Sequence, residues 1–195
     1  MSVDDAVLRI RNIIESETTA YFSDAELKEF IKMGIDEFIQ QYYMAFETTQ
    51  DARDKLSDLV ISKEQALQDS APVLIGDLDG DDTYGRFLSA YVKATPNVNL
   101  KVIQISDISA YLNDPFNKAD SSNPVIYFKE KKINTLGLST ATVCVVTYLQ
   151  YTDNLALLNV STHEEVCQIA SRKVLATLGD PRYQILQAEI SERRV

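Results

Sequence analysis

The spacing of apolar residues changes twice along this chain, and that change restricts the fold more than any other feature. Up to about residue 70, apolar residues recur every three or four positions, most clearly between Leu27 and Phe46, as in amphipathic helices. From Pro72 to Tyr148, short β-branched and aromatic runs are separated by turn-forming residues, which indicates strands. Helical spacing returns after residue 160. This order predicts an α+β fold with an antiparallel β region, not a doubly wound sheet.

One domain is expected, because 195 residues of which 45% are hydrophobic suffice for a single core. Within residues 1–195, we predict a helical part over 1–70, a β-rich insertion over 71–152 and C-terminal helices over 160–195. The helical part includes a weak acidic helix over 51–60. Ser62 and Gln65 then have the spacing to open one more helical turn, up to Gln68.

Polar residues indicate where the stronger helices begin. Ser23 with Glu26, and Ser161 with Glu164, have the three-residue spacing of a capping box, in which each side chain accepts the other residue's backbone N–H. Ser2 can cap a helix that starts at the beginning of the chain. We therefore expect helices to start near residues 3, 24 and 162.

A corner is predicted near the C-terminal end. Gly179 stands where a helix needs a left-handed residue to finish, Asp180 can cap the next helix, and Pro181 suits a first turn because its missing N–H costs nothing there. These three residues predict a short terminal helix that projects from a fixed corner. Such a helix suits an arm that lies on a neighbouring protein better than it suits a catalytic cleft.

The charge is unevenly distributed. The chain has a net charge of -10, and residues 1–83 hold 19 acidic and 7 basic residues, whereas residues 84–195 hold 10 acidic and 12 basic ones. An acidic half repels phosphate, so ordinary duplex binding is disfavoured. The acids could simply provide solubility, or they could line a surface that must not adhere to nucleic acid.

Several features bear on location and redox state. No run of about 18 apolar residues occurs, and the start Met-Ser-Val-Asp-Asp is acidic, unlike the basic lead of a signal peptide. The protein is therefore expected to be soluble and intracellular when made. Cys144 and Cys167 are predicted to be buried free thiols, because two distant cysteines make no disulfide framework.

Two motifs resemble functional sites, a calcium-binding loop and a Cys-His nucleophile pair, but neither has all the residues or the setting that such a site needs. Acids alternate from Asp77 to Asp82 as in a calcium-binding loop, but Asp82 replaces the glycine of the sixth position and Leu88 the glutamate of the twelfth. His163 lies four residues before Cys167, yet a thiol inside a helix lacks the setting of a nucleophile, and we expect this histidine at the surface. We predict no catalytic, metal-binding or cofactor-binding residue, and no enzymatic activity.

A basic cluster interrupts the β region. Lys129, Lys131 and Lys132 surround Glu130 between two predicted strands, which indicates a hairpin tip. With the neighbouring aromatic residues Tyr127 and Phe128, the cluster could bind nucleic acid by charge and stacking. A solvated tip is the preferred interpretation, because Glu130 interrupts the positive charge.

Three stretches, which together extend over most of the chain, resemble head–tail connector proteins of tailed bacteriophages. The last of them is most similar to the short connectors of podoviruses, including the crAss-like group. The stretches are Phe22-Ser23-Asp24-Ala25-Glu26-Leu27 through Gly34-Ile35-Asp36-Glu37-Phe38; Ile108-x-x-Tyr111, Asp114-Pro115-Phe116, Asn123-Pro124-Val125-Ile126-Tyr127 and the strand over 143–151; and His163-Glu164-Glu165-Val166-x-x-Ile169-Ala170 through Gly179-Asp180-Pro181-Arg182-Tyr183.

This resemblance implies a helical bundle with an inserted β region, assembled into a closed ring of about twelve copies below the portal protein. It further implies a virion location in the neck, a tail or second ring protein on the opposite rim, and a genome that passes through without specific binding. No membrane and no cofactor are implied. The resemblance places portal binding on the C-terminal arm, for which we name Arg182, Tyr183, Ile185, Leu186, Ile190, Arg193 and Arg194.

A second interpretation comes from charge alone. An acidic chain without catalytic motifs could be a soluble regulatory or inhibitory module whose acidic half covers a basic surface of its partner. The mass of the assembled particle separates the two interpretations, since a ring subunit assembles or co-purifies with portal whereas a regulator stays a monomer or dimer.

Overall fold

The computed structural model describes residues 1–14, 22–75, 84–114, 116, 118–180 and 184–185. This part of the chain is α+β, with five α-helices and two four-stranded sheets, which confirms the predicted fold class. It divides into two compact units. The helical unit contains Met1–Leu59 and Thr152–Val195, and the β unit contains Val60–Tyr151.

Four α-helices belong to the helical unit and one to the β unit. The first two begin as predicted: Ser23 and Glu26 form both bonds of a capping box, and Ser2 and Asp5 accept each other's backbone N–H in the same way. Thr49 caps the third helix through the N–H of Ala52. The helices are α1 Val3–Ile14, α2 Asp24–Ala45, α3 Gln50–Leu56, α4 Ile108–Asn113, in the β unit, and α5 His163–Leu178.

The predicted capping box of Ser161 and Glu164 is wrong. The chain first makes a 3₁₀ turn over Val160–Thr162, which Asn159 opens by accepting the N–H of Ser161. Helix α5 therefore starts one residue later than a Ser161 cap requires, and its N-cap residue Thr162 makes no side-chain capping bond. The Glu164 carboxylate instead pairs with Arg9 of α1 at 2.7 Å.

The apolar stripe predicted on α2 forms the centre of the helical unit. Seven residues of α2 are buried, among them Ile35 and Phe38 with no exposed surface. A Cβ atom at Gly34 would lie 3.1 Å from the carbonyl oxygen of Val166 and 3.3 Å from Ala170. The glycine therefore allows α2 and α5 to pack closely. The buried residues of α2 are Leu27, Ile31, Gly34, Ile35, Phe38, Ile39 and Tyr42.

The β unit contains two sheets that share one core. Strand order is β1-β8-β3-β4 in the first sheet and β2-β7-β6-β5 in the second, and residues of both sheets enclose the fully buried Ile126 and Tyr148. The strands are β1 Val60–Leu67, β2 Val73–Leu74, β3 Tyr84–Val92, β4 Val98–Asn99, β5 Lys101–Val102, β6 Val125–Lys129, β7 Lys132–Leu136 and β8 Thr142–Gln150.

Three predictions about the β region are corrected. The helical turn expected from Ser62 to Gln68 is wrong, because Val60–Leu67 forms strand β1 and pairs along its whole length with β8. The acidic helix expected over 51–60 stops at Leu56, where a 3₁₀ turn leads into β1. Not all pairing is antiparallel, since β5 runs parallel to β6. The β region thus begins about ten residues earlier than its sequence pattern suggests.

One carboxylate fixes the connection between β7 and β8. Asp69 accepts hydrogen bonds from the Thr135 hydroxyl at 2.9 Å and from the backbone N–H groups of Gly137 and Leu138 at 2.9 and 3.0 Å. Gly137 has a left-handed φ of 96°, and a Cβ atom there would lie 2.5 Å from the carbonyl oxygen of Asp120. Only glycine fits this close approach without displacing backbone.

Candidate protein-binding surfaces

The predicted C-terminal corner begins as the sequence indicates. Gly179 is left-handed with φ 69°, and the N–H groups of Gly179 and Asp180 donate to the carbonyl oxygens of Ala176 and Leu175, which closes the end of α5. The end of α5 is thus fixed at Gly179.

Of the predicted portal-binding residues, only Ile185 lies within the described part of the chain. It is helical, and 61% of its surface is exposed. A largely exposed isoleucine this close to the end of α5 is compatible with an arm that binds another protein. Pro181 and the other named arm residues lie outside the described residues, namely Arg182, Tyr183, Leu186, Ile190, Arg193 and Arg194.

Helix α5 is held in place by an ion-pair group that sequence analysis did not identify. The Glu37 carboxylate of α2 pairs with Arg172 and lies 2.7 Å from Lys173 Nζ. Burial alone would raise the pKa of Glu37, but the hydrogen bonds from Lys173 and Arg172 outweigh it and lower the pKa. The carboxylate therefore stays ionised and binds both cations of α5.

A second polar group joins three helices. The Tyr42 hydroxyl donates to Glu165 Oε1 at 2.6 Å, and Lys55 Nζ donates to Glu165 Oε2 at 3.2 Å. Burial would lower the pKa of Lys55, but its bonds to Tyr42 and Glu165 raise it overall, so the amine stays protonated. Burial and the bond to Glu165 raise the pKa of Tyr42. Protonated amine and phenol both act as donors here, an arrangement that fixes α2, α3 and α5 together.

The pair of His163 and Cys167 differs from expectation in one respect. His163 is not at the surface but 4% exposed, because α5 is buried at this end and the ring donates from Nε2 to the carbonyl oxygen of Leu158 at 3.0 Å. Cys167 is buried and free, as is Cys144, and both predictions are confirmed. Burial, with a smaller effect of Glu164, raises the pKa of Cys167 to about 12, and burial raises that of Cys144 to about 11. Both groups are therefore protonated thiols at neutral pH.

Metal binding gains no support from the described residues. In that part of the chain, no group of three or more His, Cys, Asp or Glu side chains could hold a metal ion. The acidic turn from Asp77 to Asp82 lies outside it. No described helix is long and apolar enough to cross a membrane.

An apolar segment of the β unit, residues 102–116, has several exposed large side chains, although Ile103 within it is buried. Helix α4 and the 3₁₀ turn Ile105–Asp107 before it contain no buried residue. Phe116 is 93% exposed, and three further large apolar side chains are about half exposed, namely Val102, Ile105 and Leu112. Exposed apolar side chains close together in the chain make this segment a candidate protein-binding surface.

The predicted hairpin tip is confirmed and is unusual in conformation. Lys129 pairs directly with Lys132 across β6 and β7, so two like charges face each other. The two turn residues, Glu130 and Lys131, both have left-handed φ values of 53° and 58°. In a two-residue turn of this kind asparagine and glycine are strongly preferred, because other side chains are strained at positive φ. The tip is thus exposed, basic and conformationally costly.

One of the aromatic residues beside the tip is not available for stacking on a base. The ring of Phe128 packs edge-on against Phe87, with 5.1 Å between the ring centroids, within the core of the β unit. The tip therefore offers charge without the Phe128 platform that single-stranded nucleic acid would need.

Comparison of the sequence with protein-family models finds no match, and comparison with curated proteins finds none either.

Proposed function

We propose that this chain is a structural virion protein, a subunit of the ring that lies under the portal of a tailed bacteriophage. In this role it joins the capsid to the tail and lets the genome pass. One observation carries the proposal: the stretch around Ile108, Tyr111 and Phe116, which resembles phage connectors, lies on the surface. Helix α4 contains no buried residue and Phe116 is almost fully exposed, so a pattern shared there is a surface pattern, as expected for a protein that binds other proteins.

In this assembly the N- and C-terminal helices form the bundle and the β unit is its insertion. About twelve copies close into a ring by heterologous contacts, in which one face of each subunit meets a different face of the next. The segment after Gly179 binds the portal, and the opposite rim receives a tail or second ring protein. The exposed apolar segment, residues 102–116, is a contact with one of these partners. The genome passes without specific binding, and the mature location is the neck of the virion.

The portal-binding role of the arm is tested by deletion. Removing residues 181–195 is expected to abolish binding to the portal protein of the same phage, because the apolar and basic side chains of the arm are lost. The far-UV circular dichroism of the remaining chain is expected to change little, since α5 is closed at Gly179. Binding is measured by electron microscopy and by the mass of the mixture.

A matched control keeps the composition of the arm and scrambles the order of residues 182–195. It retains the charge but loses the spacing of Ile185, Leu186 and Ile190. The scrambled arm should bind no better than the deletion variant. An unchanged affinity of the deletion variant for portal would contradict the role of the arm. A full-length chain that remains a monomer or dimer with portal would instead favour the acidic regulatory module.

A further inference from the structure

The hairpin tip has two features that destabilise the β unit as long as nothing is bound to the tip. Glu130 and Lys131 occupy left-handed conformations, and Lys129 and Lys132 place like charges opposite each other. In the described part of the chain, neither Lys131 nor Lys132 forms an ion pair. A sequence chosen only for a stable turn would have asparagine and glycine here. Costly conformations of this kind are typical of positions that carry a function.

A surface of opposite charge lies on α3 in the helical unit. Asp51, Asp54 and Asp58 follow at steps of three and four residues, so they share one side of the helix and its following turn. The buried residues Ala52, Leu56 and Leu59 occupy the other side. We call the three acids the acidic face. Asp51 lies 3.4 Å from Lys55, whereas neither Asp54 nor Asp58 pairs with a cation in the described part of the chain.

We propose that the hairpin tip of one copy binds the acidic face of the next copy in the ring. This inference rests on the proposed function and adds to it the contact that sets the direction of assembly. A closed ring of identical subunits needs two different surfaces that complement each other. This chain has two such surfaces of opposite charge, one on each unit. Charge complementarity of this kind determines orientation and register more than it determines affinity.

A second copy fits the tip better than nucleic acid does. The tip is a short basic turn, and the ring of Phe128 packs against Phe87, so it lacks the stacking platform and extended basic groove of a nucleic-acid site. Arg53 does not reduce the charge of the acidic face, because its guanidinium donates to the backbone carbonyl oxygens of Phe46 and Glu47. The acids of α3 then serve contacts between copies and do not line the channel.

The first test exchanges the charges. Lys131→Glu with Lys132→Glu, and separately Asp54→Lys with Asp58→Lys, should each reduce ring formation at least about tenfold, because like charges then meet at the contact. Combining all four changes in one chain should restore the rings. Lys93→Glu with Lys118→Glu makes the same change in net charge elsewhere on the β unit and, although it removes the exposed pair of Lys93 with Glu64, should leave ring formation unchanged. Ring formation is measured by native mass spectrometry of the chain alone and with portal.

A second variant separates function from stability. Glu130→Asn with Lys131→Gly leaves the net charge unchanged and supplies the residues that a left-handed two-residue turn prefers. This variant should unfold at a higher denaturant concentration than the natural sequence, yet form fewer rings, because one lysine of the tip is lost. A purely structural tip would give a more stable chain that assembles as before.

The outcomes distinguish this contact from the proposed function. If the variant with a reversed tip and the variant with a reversed acidic face both still form rings, the tip contact is wrong and the connector role is unaffected. A natural chain that stays monomeric alone and with portal overturns both. If the Lys131→Glu, Lys132→Glu chain loses binding to duplex DNA while its rings remain, the tip binds phosphate and the proposal is wrong. Rescue of assembly by the four-fold variant is the result expected here.

Discussion

Replacing Phe38 with alanine is expected to lower the free energy of unfolding by about 3–5 kcal/mol. The Phe38 side chain has no exposed surface. The centroid of its ring lies 4.8 Å from the centroid of the Tyr42 ring. Alanine would leave a cavity in the centre of the stripe on α2, which its neighbours can fill only in part. Denaturant unfolding followed by the helical circular dichroism signal measures the change.

Met44→Ala is the matched control, because Met44 lies on the same helix with 80% of its surface exposed. Its effect should stay within about 0.5 kcal/mol. A loss below about 1 kcal/mol for Phe38→Ala would show that this face of α2 is not the core of the isolated chain. The stripe would then be buried only between copies.

The second large effect concerns the ion pairs that hold α5. Glu37→Gln is expected to lower the free energy of unfolding by about 2–3 kcal/mol. This is somewhat less than the effect of removing a fully buried partner, because a quarter of the Glu37 side chain is exposed. Glutamine keeps the size of the side chain but removes the charge that balances Arg172 and Lys173. Glu29→Gln is the control, since its 3.2 Å pair with Lys32 lies at the surface and should be worth less than about 0.5 kcal/mol.

The pH dependence gives an independent check on Glu37. Its pKa is lowered in the folded chain, so its ion pairs stabilise the fold above the ordinary carboxyl pKa of about 4.3. That contribution is lost as the pH falls below this value and Glu37 becomes protonated. The Glu37→Gln chain should therefore lose less stability between neutral and acid pH than the natural one. Parallel acid unfolding curves for the two chains would contradict the assignment.

Local signals predicted the elements that depend on local bonds. The capping box of Ser23 and Glu26, the left-handed end at Gly179 and the hairpin between β6 and β7 each involve residues a few positions apart. Their interactions can be recognised from spacing and residue type alone. The buried stripe of α2 was predictable for the same reason, because helix period and burial coincide there.

Elements whose conformation depends on distant partners were missed. Strand β1 contains Lys63, Glu64 and Gln65, which are common in helices, and only its pairing with β8 makes it a strand. His163 is expected at the surface because it lies at the N-terminus of a helix, and the charged Glu164 and Glu165 follow it. Those charges are satisfied across the helical unit, by Arg9 and by Tyr42 with Lys55.

The candidate surfaces were predictable to different degrees. The basic tip could be located from Lys129, Lys131 and Lys132, but its left-handed backbone could not, because Glu and Lys do not favour that conformation. In the sequence, the apolar segment is marked only by its resemblance to phage connectors. Ile105, Leu112 and Phe116 are residues that usually enter a core, so sequence alone gives no reason to place them at the surface.

The order of the units along the chain has a consequence for synthesis. The helical unit is assembled from Met1–Leu59 and Thr152–Val195, and the complete β unit is encoded between them. During synthesis on the ribosome, α1, α2 and α3 are therefore made before α5, against which they pack. The β unit is made in between and can fold before α5 appears. At about 5–20 residues per second, the 92 residues of Val60–Tyr151 take about 5–18 s. During that interval the apolar stripe of α2 lacks its partner, so the nascent chain is most exposed to aggregation and to chaperones at that stage.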